Sequence, residues 1–176
     1  SVANPCSDGS TVSTESLGES EIQGLEIALN AELEGPGDTA WSLGLTYTYT
    51  EAEVTEDSET GNVLEGDNLA DIPENALALN VGLVHPAGWD SYLNASYIDE
   101  TCSTTTCDRA GVDDRFLRTD DLLVLDWSAG YRLTEGLRVY AKVNNLLDER
   151  VIVSRKPDGA RANLPRTAYL GADWMF

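Results

Sequence analysis

Six of the eleven basic residues lie in two short segments of an otherwise acidic chain. They are Arg109, Arg115, Arg118, Arg155, Lys156 and Arg161. Because arginine can hold a carboxylate through paired hydrogen bonds, the sequence predicts ligand contacts at Arg155, Lys156, Arg161, Arg115 and Arg118 for an anionic ligand. The alternative is that these cations pair with acidic neighbours, namely Asp108, Asp113, Asp114 and Asp158.

The cysteines predict a disulfide between Cys102 and Cys107, which four residues separate. A disulfide implies an oxidising compartment. Metal binding is the weaker alternative, because no further cysteine or suitably placed histidine completes a tetrahedral site, and we expect no metal. Cys6 has no evident mate, so we expect its partner, if it has one, outside this sequence.

No catalytic motif is found in the sequence. It contains neither a Gly-x-Ser-x-Gly elbow nor a phosphate-binding loop, and no nucleophile has a plausible base nearby. We therefore expect neither an enzyme nor a cofactor. The net charge of −20 argues against a nucleic-acid partner, because phosphate binding requires basic patches.

Seven segments alternate between apolar and polar or small residues, as β-strands with one apolar face do. The apolar positions fall within residues 25–33, 41–49, 77–83, 93–97, 123–133, 137–143 and 168–176. The opposite faces are rich in Gly, Ser, Thr, Asn and Ala, which suits a wet or protein-filled lumen. The pattern predicts a transmembrane antiparallel β-barrel. The alternative is a soluble β-sandwich, whose apolar faces would pair in a core.

The connections between these segments alternate in length. Residues 34–39, 86–88 and 134–136 are short, whereas about 51–74, 101–120 and 148–165 are long. Short periplasmic turns and long outside loops are the outer-membrane arrangement. Trp41, Trp89, Tyr131 and Trp174 fall near the short turns, where an aromatic girdle is expected. The acidic long loops are a solvated surface, or they hold divalent cations against lipopolysaccharide.

Seven strands do not close a barrel, because bacterial single-chain barrels have even strand numbers and lipid does not tolerate an open sheet edge. The sequence also starts without Met or a signal peptide. We therefore expect residues 1–176 to be a C-terminal fragment, about the last seven strands of a larger barrel.

The C-terminal part resembles TonB-dependent outer-membrane receptors over about residues 120–176. The resemblance rests on the VNNLLDER sequence of residues 143–150, a Gly- and Pro-Arg-containing loop, and a last strand ending in Phe176. Leu147 stands where the family usually has Phe. The loop sequence of residues 152–161 is most similar to the ferric-citrate and siderophore branch.

The resemblance implies a barrel of about 22 strands with an N-terminal plug, driven by the TonB-ExbB-ExbD complex. It also implies uptake of a scarce ligand, most often a ferric chelate, and a terminal signal for the barrel-assembly machinery at Leu170, Trp174 and Phe176. Lipopolysaccharide and outer-membrane lipid would surround the barrel in the outer membrane of a Gram-negative bacterium. The alternative function is a passive porin or autotransporter-type barrel.

The turn at residues 134–136 predicts that Arg132 and Arg138 lie directly opposite each other on the lumen face. Like charges so placed repel, and Asp173 on the last strand is one nearby acid. One carboxylate does not comfortably neutralise two guanidinium groups. We therefore expect carboxylates of the plug to contact this group of Arg132, Arg138 and Asp173; the alternative is that both arginines point into lumen water.

Overall fold

The computed structural model describes residues 2–3, 11–12, 18–157 and 159–175. Cys6, Asp158 and Phe176, which appear in the predictions above, lie outside these residues. Eleven strands and a single-turn 3-10 helix at Asp114–Phe116 are described. The strands are β1 Val2–Ala3, β2 Thr11–Val12, β3 Ser20–Gly35, β4 Thr39–Val54, β5 Asn75–His85, β6 Trp89–Ile98, β7 Leu122–Thr134, β8 Leu137–Asn144, β9 Ile152–Ser154, β10 Arg161–Ala162 and β11 Thr167–Trp174.

Seven of these strands form one antiparallel sheet in the order β11-β8-β7-β6-β5-β4-β3. Every predicted strand is confirmed, and neighbours along the sequence are neighbours in the sheet except across the last loop. The sheet is a partial barrel that does not close, since β3 and β11 are its two edges. Strands β3 and β4 are longer than predicted, at 16 residues each. A small β9–β10 hairpin, which the alternation pattern did not predict, lies in the last long loop.

Cross-strand register produces continuous apolar rows on one face of the sheet. One row joins Ile27, Tyr47, Leu77, Tyr97 and Leu123. These side chains remain exposed; Leu25, Leu29, Leu170 and Trp174, for example, are each more than half exposed. No second layer packs on this face among the described residues, so the β-sandwich alternative is wrong. An exposed apolar sheet face with a polar opposite face fits lipid outside and a lumen inside.

Aromatic residues bound this apolar face at both ends. Trp41, Trp89, Tyr131 and Trp174 lie near the short turns, as predicted, and all are exposed. The structure adds a second group that the sequence analysis did not assign, with Tyr47 and Tyr97 toward the long loops. The eight residue-to-residue steps from Trp89 to Tyr97 correspond to about 27 Å along the strand, or roughly 20 Å of height at a typical barrel tilt. That height is close to the apolar band of an outer-membrane barrel.

The buried side chains lie mostly outside the membrane-spanning part of the sheet. Ala52, Val54 and Val63, together with Cys102 and Cys107, are the buried apolar residues of the described chain. They lie at the long-loop end of β4 and in the loops themselves. The long loops therefore have a small core of their own. Within the described residues, no helix has the length and apolar character needed to cross a bilayer.

Candidate functional site: the lumen face and the loop cap

The lumen face brings together an ion-paired group near the short turns. Arg132 and Arg138 are cross-strand partners, as the turn predicted. Arg138 donates to both carboxylate oxygens of Asp90, with Nη2 2.7 Å from Oδ2 and 3.0 Å from Oδ1. Its Nη1 also lies 3.6 Å from Asp173. Two acids of the chain itself therefore neutralise Arg138, and the sequence analysis had found only Asp173.

Glycine at position 130 permits this arrangement. Asp90 on β6 is the register partner of Gly130 on β7, and the Arg138 side chain from β8 passes over that glycine. A Cβ atom at position 130 would overlap the guanidinium group. The ion pair thus joins β6 to β8 by passing over β7. It fits because residue 130 of β7 is a glycine and has no side chain in the way. The pairing of Asp90 with Gly130 follows once the strands are aligned in the sequence. The contact that Arg138 makes with Asp90 across β7 does not follow from that alignment.

Arg132 differs from Arg138. It is exposed and makes no ion pair with any residue that the structure describes. It lines a cavity of 320 Å³ beside the turns at 36–38 and 86–88, together with His85, Trp89 and Asp90. His85 and Trp89 are register partners on the apolar face of the sheet, and their rings stack with centroids 5.0 Å apart. Arg132 is therefore a lumen cation that an added carboxylate can reach without displacing an ion-pair partner among the described residues.

The three long loops, residues 55–74, 99–121 and 145–166, contact one another and together form what we call the loop cap. Loops one and two meet at Asp67, whose Oδ1 accepts from Nε of Arg109 at 2.8 Å. The Asn68 side-chain amide donates to Asp108 at 3.0 Å. Loops two and three meet where the backbone NH of Ile152 donates to Asp120 at 2.7 Å. The cap is thus held by polar contacts between loops.

Most of the predicted ligand-binding cations take part in these contacts. Arg118 pairs with Asp108, with Asp114 and with Glu100. Arg155 donates to the backbone carbonyl oxygens of Arg118 and Arg115, and Lys156 pairs with Asp71 of the first loop. The alternative of pairing with acids therefore describes the geometry of Arg118 and Lys156, although the sequence analysis had not named Asp71 or Glu100. The contribution of these residues to ligand binding stays a prediction.

The side chains of two of the predicted cations, Arg115 and Arg161, are exposed and bind no other loop among the described residues. The Arg115 side chain is 77% exposed, pairs with Asp113 two residues away, and lies over the ring of Phe116. Arg161 makes no ion pair with a described residue. Exposed pairs between near neighbours contribute little free energy, so Arg115 can exchange partners easily. These two residues are the readiest contacts for an anionic ligand.

The structure joins Cys102 to Cys107 in a disulfide with a Cα–Cα distance of 6.0 Å. Although Asp108 lies beside both sulfur atoms, the disulfide removes the two thiolates that a metal would need. The bridge closes the segment whose Cys102 carbonyl accepts from the backbone NH of Asp71 at 2.7 Å. It therefore stiffens the point where the first and second loops touch.

An open cavity of 580 Å³ lies between the first two loops and the end of β4. Its lining carries carboxylates and one arginine, which are Glu51, Glu53, Glu74, Asp99, Glu100, Asp108 and Arg118. The pKa of Asp108 is held below its usual range by the hydrogen bond from Asn68 and then by Arg118. The divalent-cation interpretation of the acidic loops stays a prediction.

The pKa of Asp67 is likewise lowered, chiefly by the hydrogen bond from Arg109. Because the folded-state pKa is depressed, this contact stabilises the cap above the ordinary Asp value of about 3.9 and is lost as pH falls through the lower, folded-state pKa. We expect the amide protection factors of residues 58–67, which compare each exchange rate with the intrinsic rate at the same pH, to fall below about pH 4. Asp67→Asn should show the low protection factors already at neutral pH. Asp113→Asn is the control, since Asp113 joins no two loops; equal exchange in both variants would contradict the prediction.

The base of the third loop is organised by Asn145. Its side chain is buried and donates to the carbonyl oxygens of Glu149 and Leu164, both at 2.9 Å, while accepting from the backbone NH of Glu149. Its own NH donates to Asp126 on β7. With φ of +52° it adopts the left-handed conformation that Asn tolerates better than most residues. This residue stands in the VNNLLDER sequence on which the resemblance rested.

Comparison with known proteins agrees with this geometry. Residues 1–146 match the family described as TonB dependent receptor-like, beta-barrel. The chain belongs to this family. The matched range stops where the C-terminal resemblance is strongest, so the two assignments rest on largely different residues. Membership decides against the porin and autotransporter alternative, and it places the chain in the outer membrane of a Gram-negative bacterium.

Solved structures show the same fold. The siderophore receptor PiuA from Acinetobacter baumannii is 20% identical, with a TM-score of 0.68 over 89% of this chain and 22% of that one. The ferric-catecholate import receptor Fiu from Escherichia coli K12 is 22% identical, with a TM-score of 0.68 over 99% of this chain and 23% of that one. The ferric yersiniabactin uptake receptor FyuA from Yersinia pestis is 23% identical, with a TM-score of 0.66 over 89% of this chain and 24% of that one.

This chain thus spans about a quarter of the length of the structures it matches. All three are named as receptors, and the matched family is likewise described as receptor-like rather than as a family of enzymes. A search of the curated proteins found no match.

Proposed function

We propose that this chain is the C-terminal part of the barrel of a receptor that takes up a ferric chelate, energised by the TonB-ExbB-ExbD complex. Family membership over residues 1–146 is the observation that carries the proposal. The continuous lipid-facing rows and the polar lumen face support a barrel wall. A ferric siderophore is the favoured ligand and ferric citrate the alternative, because the three similar structures are named as receptors for siderophores or their ferric forms.

The charge of the loop cap favours an anionic chelate. In a chain with a net charge of −20, the accessible cations Arg115 and Arg161 lie in the loops at the outer end of the sheet. Arginine is suited to planar, bidentate contact with carboxylates. Phe116, 73% exposed beside Arg115, adds an apolar surface for the organic part of a chelate.

Some other proposed partners would contact parts of the receptor that lie outside this chain. A plug supplied by the rest of the polypeptide would fill the lumen and contact TonB. Arg132, which has no ion pair among the described residues, suits a plug carboxylate better than Arg138 does, because Arg138 already has Asp90. Leu170 and Trp174 lie on the lipid face of β11, where the assembly machinery and outer-membrane lipid can both reach them.

Growth under iron limitation tests the proposal. A strain lacking the full-length gene should lose growth on one member of a panel of ferric siderophores and ferric citrate, and the wild-type gene should restore it. Deleting TonB should abolish the same growth, because uptake against a gradient needs energy. Growth that is independent of TonB, or unchanged on every chelate, would refute an energised ferric-chelate receptor. Arg115→Gln with Arg161→Gln should raise the chelate concentration needed for growth.

A further inference from the structure

Arg155 and Lys156 are adjacent in sequence but bind different loops. The Arg155 guanidinium donates to carbonyl oxygens of the second loop, including that of Arg115 at 2.9 Å. The Lys156 ammonium pairs with Asp71 of the first loop. Two consecutive residues of the third loop thus connect it to both of the others.

Asp71 is the matching junction on the first loop. Its carboxylate pairs with Lys156 while its backbone NH donates to the carbonyl oxygen of Cys102 in the second loop. With φ of +61° it adopts a left-handed conformation that Asp and Asn tolerate better than most residues. All three loops therefore meet at Asp71, Cys102 and the Arg155–Lys156 pair.

The contacts on the Lys156 side are easily exchanged. The side chains of Lys156 and Asp71 are 51% and 50% exposed, and exposed ion pairs are weak and screened by salt. Arg155 is satisfied by carbonyl oxygens, which are neutral acceptors and weaker than a carboxylate. An anionic ligand would offer both cations a better or equal partner.

We infer that Arg155 and Lys156 form a clasp that holds the loop cap closed, and that an anionic ligand opens it by competing for these cations. This inference rests on the proposed function and gives these residues a regulatory role in ligand entry. We expect a ligand to enter the open cap more readily than the closed one, so the closed fraction lowers the apparent affinity and slows association. Weakening the clasp should therefore speed ligand entry, although a positive charge is lost.

If Lys156 instead contacts the ligand directly, the expected change in association rate has the opposite sign. If Lys156 mainly attracts and holds the anion, Lys156→Gln slows association and weakens binding. If it mainly closes the cap, Lys156→Gln speeds association by about two- to fivefold, the range that an exposed ion pair can supply. Arg161→Gln is the matched control, because it removes one positive charge from the same loop, where Arg161 has no ion pair with a described residue.

The experiment uses the full-length receptor in lipid nanodiscs, with hydrogen exchange of residues 55–74 as the first measurement. Lys156→Gln and Asp71→Asn should each speed exchange there, the double variant should be no faster than either single one, and Arg161→Gln should leave it unchanged. Heat-modifiable mobility confirms that every variant is folded. Exchange that is the same in Lys156→Gln and Arg161→Gln would overturn the clasp.

Association kinetics with ferric citrate and with a ferric triscatecholate form the second measurement. Lys156→Gln should associate faster than wild type, and Arg161→Gln no faster. If a probe that binds the wild-type receptor associates more slowly with Lys156→Gln, the inference that the ligand opens the clasp is overturned. If neither probe binds the wild-type receptor, the proposed ligands are wrong, while hydrogen exchange still decides whether the clasp exists.

Discussion

Replacing Asn145 with alanine should release the base of the third loop and lower the amount of folded receptor in the outer membrane. The side chain makes three hydrogen bonds to the backbone of Glu149 and Leu164. Only 4% of Asn145 is exposed, so water cannot easily replace them. Buried groups left without partners cost about 1–3 kcal/mol each, and we expect a total loss of roughly 2–4 kcal/mol. The measurement is the opening free energy of residues 145–166 from amide exchange.

The neighbouring Asn144 is the matched control. It lies on the lumen face of β8, and its Oδ1 atom has no hydrogen-bond partner within the described chain. Asn144→Ala should therefore change the exchange of the third loop by less than about 0.5 kcal/mol. Asn145→Gly tests the backbone, since glycine accepts φ of +52° without strain but restores none of the side-chain bonds. If Asn145→Gly behaves like wild type, the left-handed backbone and not the hydrogen bonding explains why Asn occupies this position.

The sheet was predictable because membrane strands obey a simple rule. Each strand needs one continuous apolar face, so the alternation predicted the seven strands and which face of the sheet each of their side chains lies on. The register of the last hairpin followed from its short turn, and with it the juxtaposition of Arg132 and Arg138. Partners were missed where a side chain reaches beyond its nearest strand, as Arg138 does in crossing Gly130 to Asp90.

The loops were less predictable for a related reason. The residues that hold the loop cap are far apart in sequence, such as Asp71 and Lys156 or Asp67 and Arg109. No periodicity constrains which acid a loop arginine meets, so neighbours in sequence were the only candidates available. Asp113 with Arg115 is such a local pair and was anticipated, whereas the contacts between loops required the fold. Asn145 was visible as part of a motif, but its bonds across the third loop were not.

Replacing Asp90 with asparagine should destabilise the β7–β8 hairpin at its short-turn end. The substitution removes the nearest carboxylate from Arg138 while its cross-strand partner Arg132 remains. Asp173 would then be the nearest acid, but it is 60% exposed and 3.6 Å away. Hydrogen bonds between charged groups contribute about 1.5–3 kcal/mol, and the partial exposure of Arg138 places the expected loss near the lower value. Amide exchange of residues 130–140 in the full-length receptor measures it.

Three further variants separate the ion pair from simple charge balance. Asp173→Asn removes the same charge from the same arginine and should cost less than half as much, because exposed pairs contribute little. Gly130→Ala changes no charge, yet its methyl group would displace the guanidinium group from Asp90 and should reproduce most of the Asp90→Asn effect. Arg138→Gln added to Asp90→Asn should recover part of the loss, since the Arg138 charge that lost its partner is then also removed. If Asp173→Asn is as damaging as Asp90→Asn while Gly130→Ala is harmless, net charge governs this end of the lumen and the bridge over Gly130 does not.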